Sequence, residues 1–97
     1  MSGLGAWVYV MTNRPHGTLY IGVTRNLNRR IWEHRESVIE GFTTRYHLTR
    51  LVHVEFHEEL VAAIRREKTL KLWLRAWKVR LIEAGNPEWT DLYDQIS

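Results

Sequence analysis

The chain has 97 residues with no cysteine and a formal net charge of +3, which leaves room for one domain and excludes disulfides and thiolate metal sites. No apolar run approaches the roughly 20 residues of a membrane span, and Met1–Gly5 carries no charged or long apolar segment of a signal peptide. The expectation is a single domain, 1–97, with a core over about 6–86 and an acidic tail over 88–97, in the cytoplasm and away from membranes. The charge is unevenly placed: residues 14–50 hold seven Arg against three Glu, and residues 65–80 hold seven Lys or Arg against Glu67. Segregated basic segments suit a polyanion such as nucleic acid, although solvated helix faces account for the charge equally well.

Trp7–Thr12 and Thr18–Thr24 are β-branched and aromatic runs separated by Asn13-Arg14-Pro15-His16-Gly17, which predicts a β-hairpin. Asn26 is a candidate N-cap for a helix of about 13 residues ending near Gly41, with Leu27, Ile31, His34 and Val38 as its inward stripe. Phe42–Thr49 reads as a polar, aromatic loop. Leu51–Phe56 reads as a third strand with Val52, Val54 and Phe56 on one face. A helical pattern runs from Glu58 to Ala84 and stops at Gly85-Asn86-Pro87. That is long for one helix in so small a domain, and a break near Leu72–Leu74 is expected. The order is β-β-α-β-α-α, an α+β fold with a small sheet.

Glu67 shares a helix face with Leu60, Ala63, Ile64, Leu70 and Leu74. A carboxylate in an apolar stripe is costly unless it is paired or binds metal. Either Arg30 pairs with it, or it holds a divalent ion, since Mg²⁺ is often bound by one or two carboxylates plus phosphate and water. No His/Asp/Glu cluster has zinc spacing, and His16, His47, His53 and His57 read as surface or structural. Arg30 offers a planar fork for phosphate, and His34 follows one turn later on the same side. Tyr9 and Tyr20, on neighbouring strands, are either core residues or phenols able to act as general base. His34 is either a core histidine or a partner of a tyrosine hydroxyl or phosphate. Gly22 leaves space for backbone or ligand. Asn86 either orients a water or metal shell or, with Pro87, ends a helix. Arg29 reads as a generic phosphate contact. Lys68, Lys71, Arg75 and Lys78 follow three- and four-residue steps and form one basic stripe beside Glu67 in an unbroken helix.

Trp7-Val8-Tyr9, then ten residues between the tyrosines, Tyr20-Ile21-Gly22, Thr24, Arg30, His34 and Glu67 together resemble the GIY-YIG nuclease family. Thr43-Thr44-Arg45-Tyr46, Leu51-Val52, Arg66-Glu67-Lys68 and Asn86-Pro87-Glu88-Trp89 are similar to its small, stand-alone bacterial branch, related to the nuclease domain of the UvrC repair subunit and to structure-specific nucleases. The resemblance implies a three-stranded antiparallel sheet flanked by helices. It also implies endonucleolytic hydrolysis of DNA with one divalent ion, Mg²⁺ or Mn²⁺, held by Glu67. Arg30 would then support the scissile phosphate, and Tyr9, Tyr20 or His34 would be the base. Thr24, Tyr46 and Asn86 would support the site. Branched or single-stranded DNA is the expected partner in repair or recombination, with a further protein for targeting. The first motif departs from the family in reading Trp-Val-Tyr, and His53 and His57 stand where that branch tends to carry tyrosine. Two other readings stay open: a non-catalytic nucleic-acid-binding module, and a protein-interaction domain built on the tryptophan-rich C-terminal half.

Overall fold

The computed structural model describes residues 5–36, 41 and 45–96. Three strands, β1 (Ala6–Thr12), β2 (Leu19–Thr24) and β3 (Arg50–His57), form one antiparallel sheet in the order β2-β1-β3. The helices are α1 (Leu27–Arg35), α2 (Leu60–Leu72), α3 (Arg75–Gly85) and a short α4 (Tyr93–Ile96). The expected element order and α+β class are therefore present, with α4 added. Among the described residues no helix is long and apolar enough to cross a membrane.

Strand β1 is central, and its alternation builds two cores. Ala6, Val8 and Val10 face α2 and α3 and pack with Val52, Ala63, Leu70 and Ile82. Tyr9 and Met11 face α1 and pack with Leu27, Ile31, Leu48 and Leu51. The hairpin closes through Gly17 N–H to Arg14 O at 2.9 Å, with Asn13 Oδ1 accepting from Thr18 N–H at 3.0 Å. This is the Asn/Pro/Gly turn chemistry the sequence carries.

Strand β3 differs from the simple alternation. Val10 pairs with His53 and Met11 with Leu51, so Val52 is an extra residue opposite β1. This bulge turns Val52 onto the α2 face, while Val54 packs on the α1 face. Phe56, opposite Trp7 in the register, shares that α1 side. The expected common face of Val52, Val54 and Phe56 is thus split. His53, Glu55 and His57 pair with Val10, Val8 and Ala6 and occupy the α2 face instead.

Asn26 caps α1 as expected, its Oδ1 accepting from Arg29 N–H at 3.2 Å. The helix is described over nine residues, Leu27–Arg35, with Glu36 at its C-cap donating to Trp32 O; the rest of the expected span, 37–40, lies outside the described residues. Val38, Phe42, Thr43 and Thr44 lie outside the described residues. The long helical pattern breaks at Trp73 and Leu74, whose ψ angles of 151° and 148° are extended, and α3 stops at Gly85. Both were expected.

The C-terminal segment is not a loose acidic tail. Trp89 is fully buried and donates from Nε1 to Glu83 at 2.8 Å. Leu92 N–H reaches Leu51 O at 2.8 Å, and Asp91 Oδ1 accepts Leu51 N–H at 3.2 Å. The segment thereby covers the open edge of β3. Its apolar residues Trp89, Leu92, Tyr93 and Ile96 are what hold it down.

Candidate active site

The α1 face of the sheet gathers most of the predicted chemistry. Tyr9 pairs with Gly22 and Met11 with Tyr20 across β1 and β2, so both phenols point to the same side. Inward residues Leu27, Ile31 and His34 of α1 cover them. Tyr9 is buried, and its hydroxyl shares a 2.9 Å hydrogen bond with Nε2 of His34, itself 3% exposed. The Tyr20 ring meets the His34 ring edge-on at 5.6 Å and the Tyr9 ring at 6.3 Å. Thr24 Oγ1 accepts from Asn26 N–H at 3.1 Å. Its role is to shape the turn that launches α1.

Gly22 has a steric reason. A Cβ there would stand 2.5 Å from Tyr9 Cζ and closer still to its hydroxyl. Any side chain would push the phenol off His34. The close approach is of a neighbouring side chain, on a strand position with no special backbone angle.

Arg30 lies one turn before His34 with its side chain 42% exposed, and its Nη1 is 3.4 Å from Glu33 Oε1. Burial pushes the Tyr9 phenol above the ordinary tyrosine range, and Tyr20 adds to this. Arg30, as hydrogen-bond donor and nearby cation, pulls it back, and Glu67 pushes it up. Burial, then the Arg30 charge, lowers His34 from 6.5 to about 4, against an upward pull from Glu33. At neutral pH the ring is an uncharged acceptor or donor for Tyr9.

Glu67 approaches from α2, with its side chain 14% exposed and Oε2 at 2.9 Å from Nζ of Lys71. The expected alternatives for Glu67 were Arg30 or a metal ion. The ion pair formed is instead with Lys71, one turn along its own helix. Among the described residues no three His, Cys, Asp or Glu side chains could hold a metal between them. Glu67 offers a divalent ion a hard anionic carboxylate, which fits an ion completed by water and phosphate oxygens.

Other predicted residues fall elsewhere. Asn86 is buried, with Nδ2 donating to Val52 O at 3.1 Å and Thr90 O at 2.8 Å, and Oδ1 accepting from Thr90 N–H at 3.0 Å. It uses both donors on backbone and ends α3; the reading of Asn86 as an organiser of water or metal is corrected to a tie between α3, the bulge and the C-terminal segment. The break at Trp73–Leu74 divides the expected basic stripe into Lys68 and Lys71 on α2 and Arg75 and Lys78 on α3. Arg75 Nη2 donates to the hairpin carbonyls of His16 and Gly17 at 2.8 and 2.7 Å. Lys78 Nζ reaches Lys71 O at 3.3 Å. Arg29 is exposed and pairs with Glu33 at 3.3 Å. Tyr46 is 43% exposed, with the Arg45 guanidinium 5.7 Å over its ring.

One cluster was missed. Arg66 grips Glu55 with Nε at 2.9 Å and Nη2 at 3.0 Å, and His53 Nε2 adds a 2.9 Å contact. Burial alone would raise the Glu55 carboxyl, but these bonds hold it down at about 2. The period-two spacing of His53, Glu55 and His57 was the available signal, since on a strand it places all three on one face.

Residues 5–80 match a model of the GIY-YIG catalytic domain. A UPF0213 protein of Natronomonas pharaonis is 37% identical over 76 residues, covering 78% of this chain and 88% of its own length. A UPF0213 protein of Syntrophus aciditrophicus is 36% identical over 72 residues, covering 73% and 82%. The solution structure of a UPF0213 protein from Bacillus halodurans shares the fold, with a TM-score of 0.57 and 24% identity over 90% of this chain and 92% of that one.

Proposed function

Because this chain belongs to the GIY-YIG catalytic-domain family, we propose that it is a metal-dependent endonuclease hydrolysing DNA phosphodiester bonds, acting in the cytoplasm on branched or single-stranded DNA in repair or recombination. The observation that carries the reading is the buried Tyr9–His34 hydrogen bond of 2.9 Å, with the half-exposed Arg30 one turn before His34 on the same helix. A structural tyrosine needs a partner for its hydroxyl, but has no need of the Arg30 cation one turn before that partner on α1.

In this reading Tyr9 takes a proton from the attacking water while its own passes to neutral His34 Nε2, so the pair acts as one general base. His34 is suited to this because its depressed basicity keeps it unprotonated at working pH. Arg30 presents its fork to the scissile phosphate as charge develops. Tyr20 packs against His34 and keeps the ring in line. Glu67 would hold a single Mg²⁺ or Mn²⁺. When bound, that ion supplies positive charge to the phosphate and lowers the cost of forming the leaving oxyanion. Lys71 gives up its contact with Glu67 and, with Lys68 and Arg29, meets backbone phosphates. Arg75 and Lys78 contribute charge from the far side of the helix break.

The test is incubation of purified protein with branched, flapped and linear DNA in Mg²⁺, in Mn²⁺ and in EDTA. Cleavage should occur with either ion and stop in EDTA. Glu67→Ala should abolish it while DNA binding stays near normal, because the substitution also removes a charge that repels phosphate. Binding without cleavage by the wild type under all conditions would make this a nucleic-acid-binding module and not a nuclease.

A further inference from the structure

An exposed aromatic cleft lies at the break between α2 and α3, away from the Tyr9 face. Trp77 stands 47% exposed on the first turn of α3. Its ring meets Trp73 edge-on, with centroids 6.1 Å apart and planes at 82°. Trp73 packs against the core and carries the Arg66 guanidinium 5.2 Å from its ring. Trp73, Trp77, Arg80 and Leu81 line an open cleft of about 330 Å³. A large indole half in water, beside a second one, is not needed to cover the core, against which Trp73, Val79 and Leu81 already pack.

The charge around the cleft selects what could cover it. From Lys68 to Arg80 the chain holds five Lys or Arg and no acid. The acid just before that stretch, Glu67, is 14% exposed and turned to Lys71. Lys71 is paired with Glu67, and Arg75 and Lys78 donate to backbone carbonyls, but Arg80 lines the cleft itself, and an apolar protein surface or a second copy of this chain would have to cover its charge. An unpaired nucleobase brings a flat face for the indole and a phosphate for the cations. Base–aromatic stacking with flanking cations is how single strands are held without sequence preference, and Arg adds to it through its planar charge.

We propose that the Trp73–Trp77 cleft is a stacking site for an unpaired nucleobase of single-stranded DNA, with Trp77 as the stacking face and Arg80 on the adjoining phosphate. The inference rests on the reading of the chain as a DNA enzyme and sharpens it. The Tyr9 site contacts the scissile phosphate, and this second site gives a domain with no base-reading motif a preference for junctions that expose a single strand.

The test is the affinity of the full chain for a fluorescein-labelled oligo(dT) of about twelve nucleotides, and for a duplex of equal length, by anisotropy in EDTA. Because binding is read without metal, the result stands whether or not the wild type cleaves. Trp77→Ala should lower oligo(dT) affinity about five- to a hundredfold, the range for loss of one stacked base, with duplex affinity held within about twofold. Trp77→Phe should recover most of the loss, and Arg80→Gln should reduce the salt dependence of oligo(dT) binding. Trp77 is exposed, so unchanged circular dichroism and melting are expected for all three variants. Two results would overturn the proposal. One is equal oligo(dT) affinity for wild type and Trp77→Ala. The other is a wild-type dimer in sedimentation that Trp77→Ala converts to monomer, which would assign the cleft to a second copy of the chain.

Discussion

Replacing Glu55 by glutamine keeps the shape that Arg66 grips and removes the charge. The carboxylate is 18% exposed and is held by Nε and Nη2 of Arg66 at 2.9 and 3.0 Å. Its pKa falls from 4.5 to about 2 in the folded protein. As pH drops, the unfolded chain therefore binds the proton first. The stabilisation is present above about 4.5 and drains away as pH falls toward 2. At about 1.4 kcal/mol per pH unit, the contribution at neutral pH is about 3 kcal/mol. That is a large part of a stability of about 5–15 kcal/mol. An exposed pair such as Arg29–Glu33 contributes only about 0.2–1 kcal/mol. Urea unfolding followed by circular dichroism at pH 7, 5, 4 and 3 reads the difference directly. Glu55→Gln should be about 2–3 kcal/mol less stable at pH 7, with the gap closing below about pH 4.5. His34 also loses stability between pH 6.5 and about 4, where the unfolded chain takes up its proton first, but that change is common to both proteins and cancels. A gap of constant size across the series, or none at pH 7, would refute the reasoning.

Gly22→Ala forces a Cβ against the Tyr9 ring; it should cost about 1–3 kcal/mol in urea unfolding and lower kcat more than a surface variant of equal stability, because it breaks the Tyr9–His34 bond. Arg30→Ala should lower kcat by roughly two to four orders of magnitude with the melting temperature nearly kept, and Arg30→Lys should rescue only part; loss of melting temperature with activity tracking the folded fraction would make Arg30 structural. Single-turnover cleavage should rise as pH climbs through about 4, where His34 loses its proton. Tyr9→Phe should remove that limb and Tyr20→Phe should change only its height; if both variants keep the wild-type profile, neither phenol is the base and His34 is. Binding to duplex DNA should weaken steeply between about 50 and 200 mM salt and vary little with sequence, and a flat dependence would favour a protein partner.

Local chemistry made much of this molecule legible from its residues. Asn26 capped α1, Gly85-Asn86-Pro87 stopped α3, and the turn residues at 13–17 closed the hairpin, because caps and turns are decided within a few residues of chain. The spacing from Tyr9 to His34 also pointed to one site, since two paired strands and the helix that follows them fix those positions almost rigidly. Contacts between distant segments were different in kind. The bulge at Val52 moved three polar residues of β3 onto the α2 face, and a one-residue shift in a period-two pattern has no local signature. The Glu67–Lys71 pair, by contrast, is a step of one turn within α2, a local contact that the sequence already carried. Asn86 read either as an orienting group or as a helix stop, and which backbone carbonyls take its donors, Val52 O and Thr90 O, depended on the fold. Trp89 read as part of an acidic tail, yet tertiary packing buries it completely. Periodicity and capping depend on the chain's own geometry, which the sequence carries. The pairing of a buried polar group depends on which neighbour the fold brings within 3 Å, and only the assembled structure decides that.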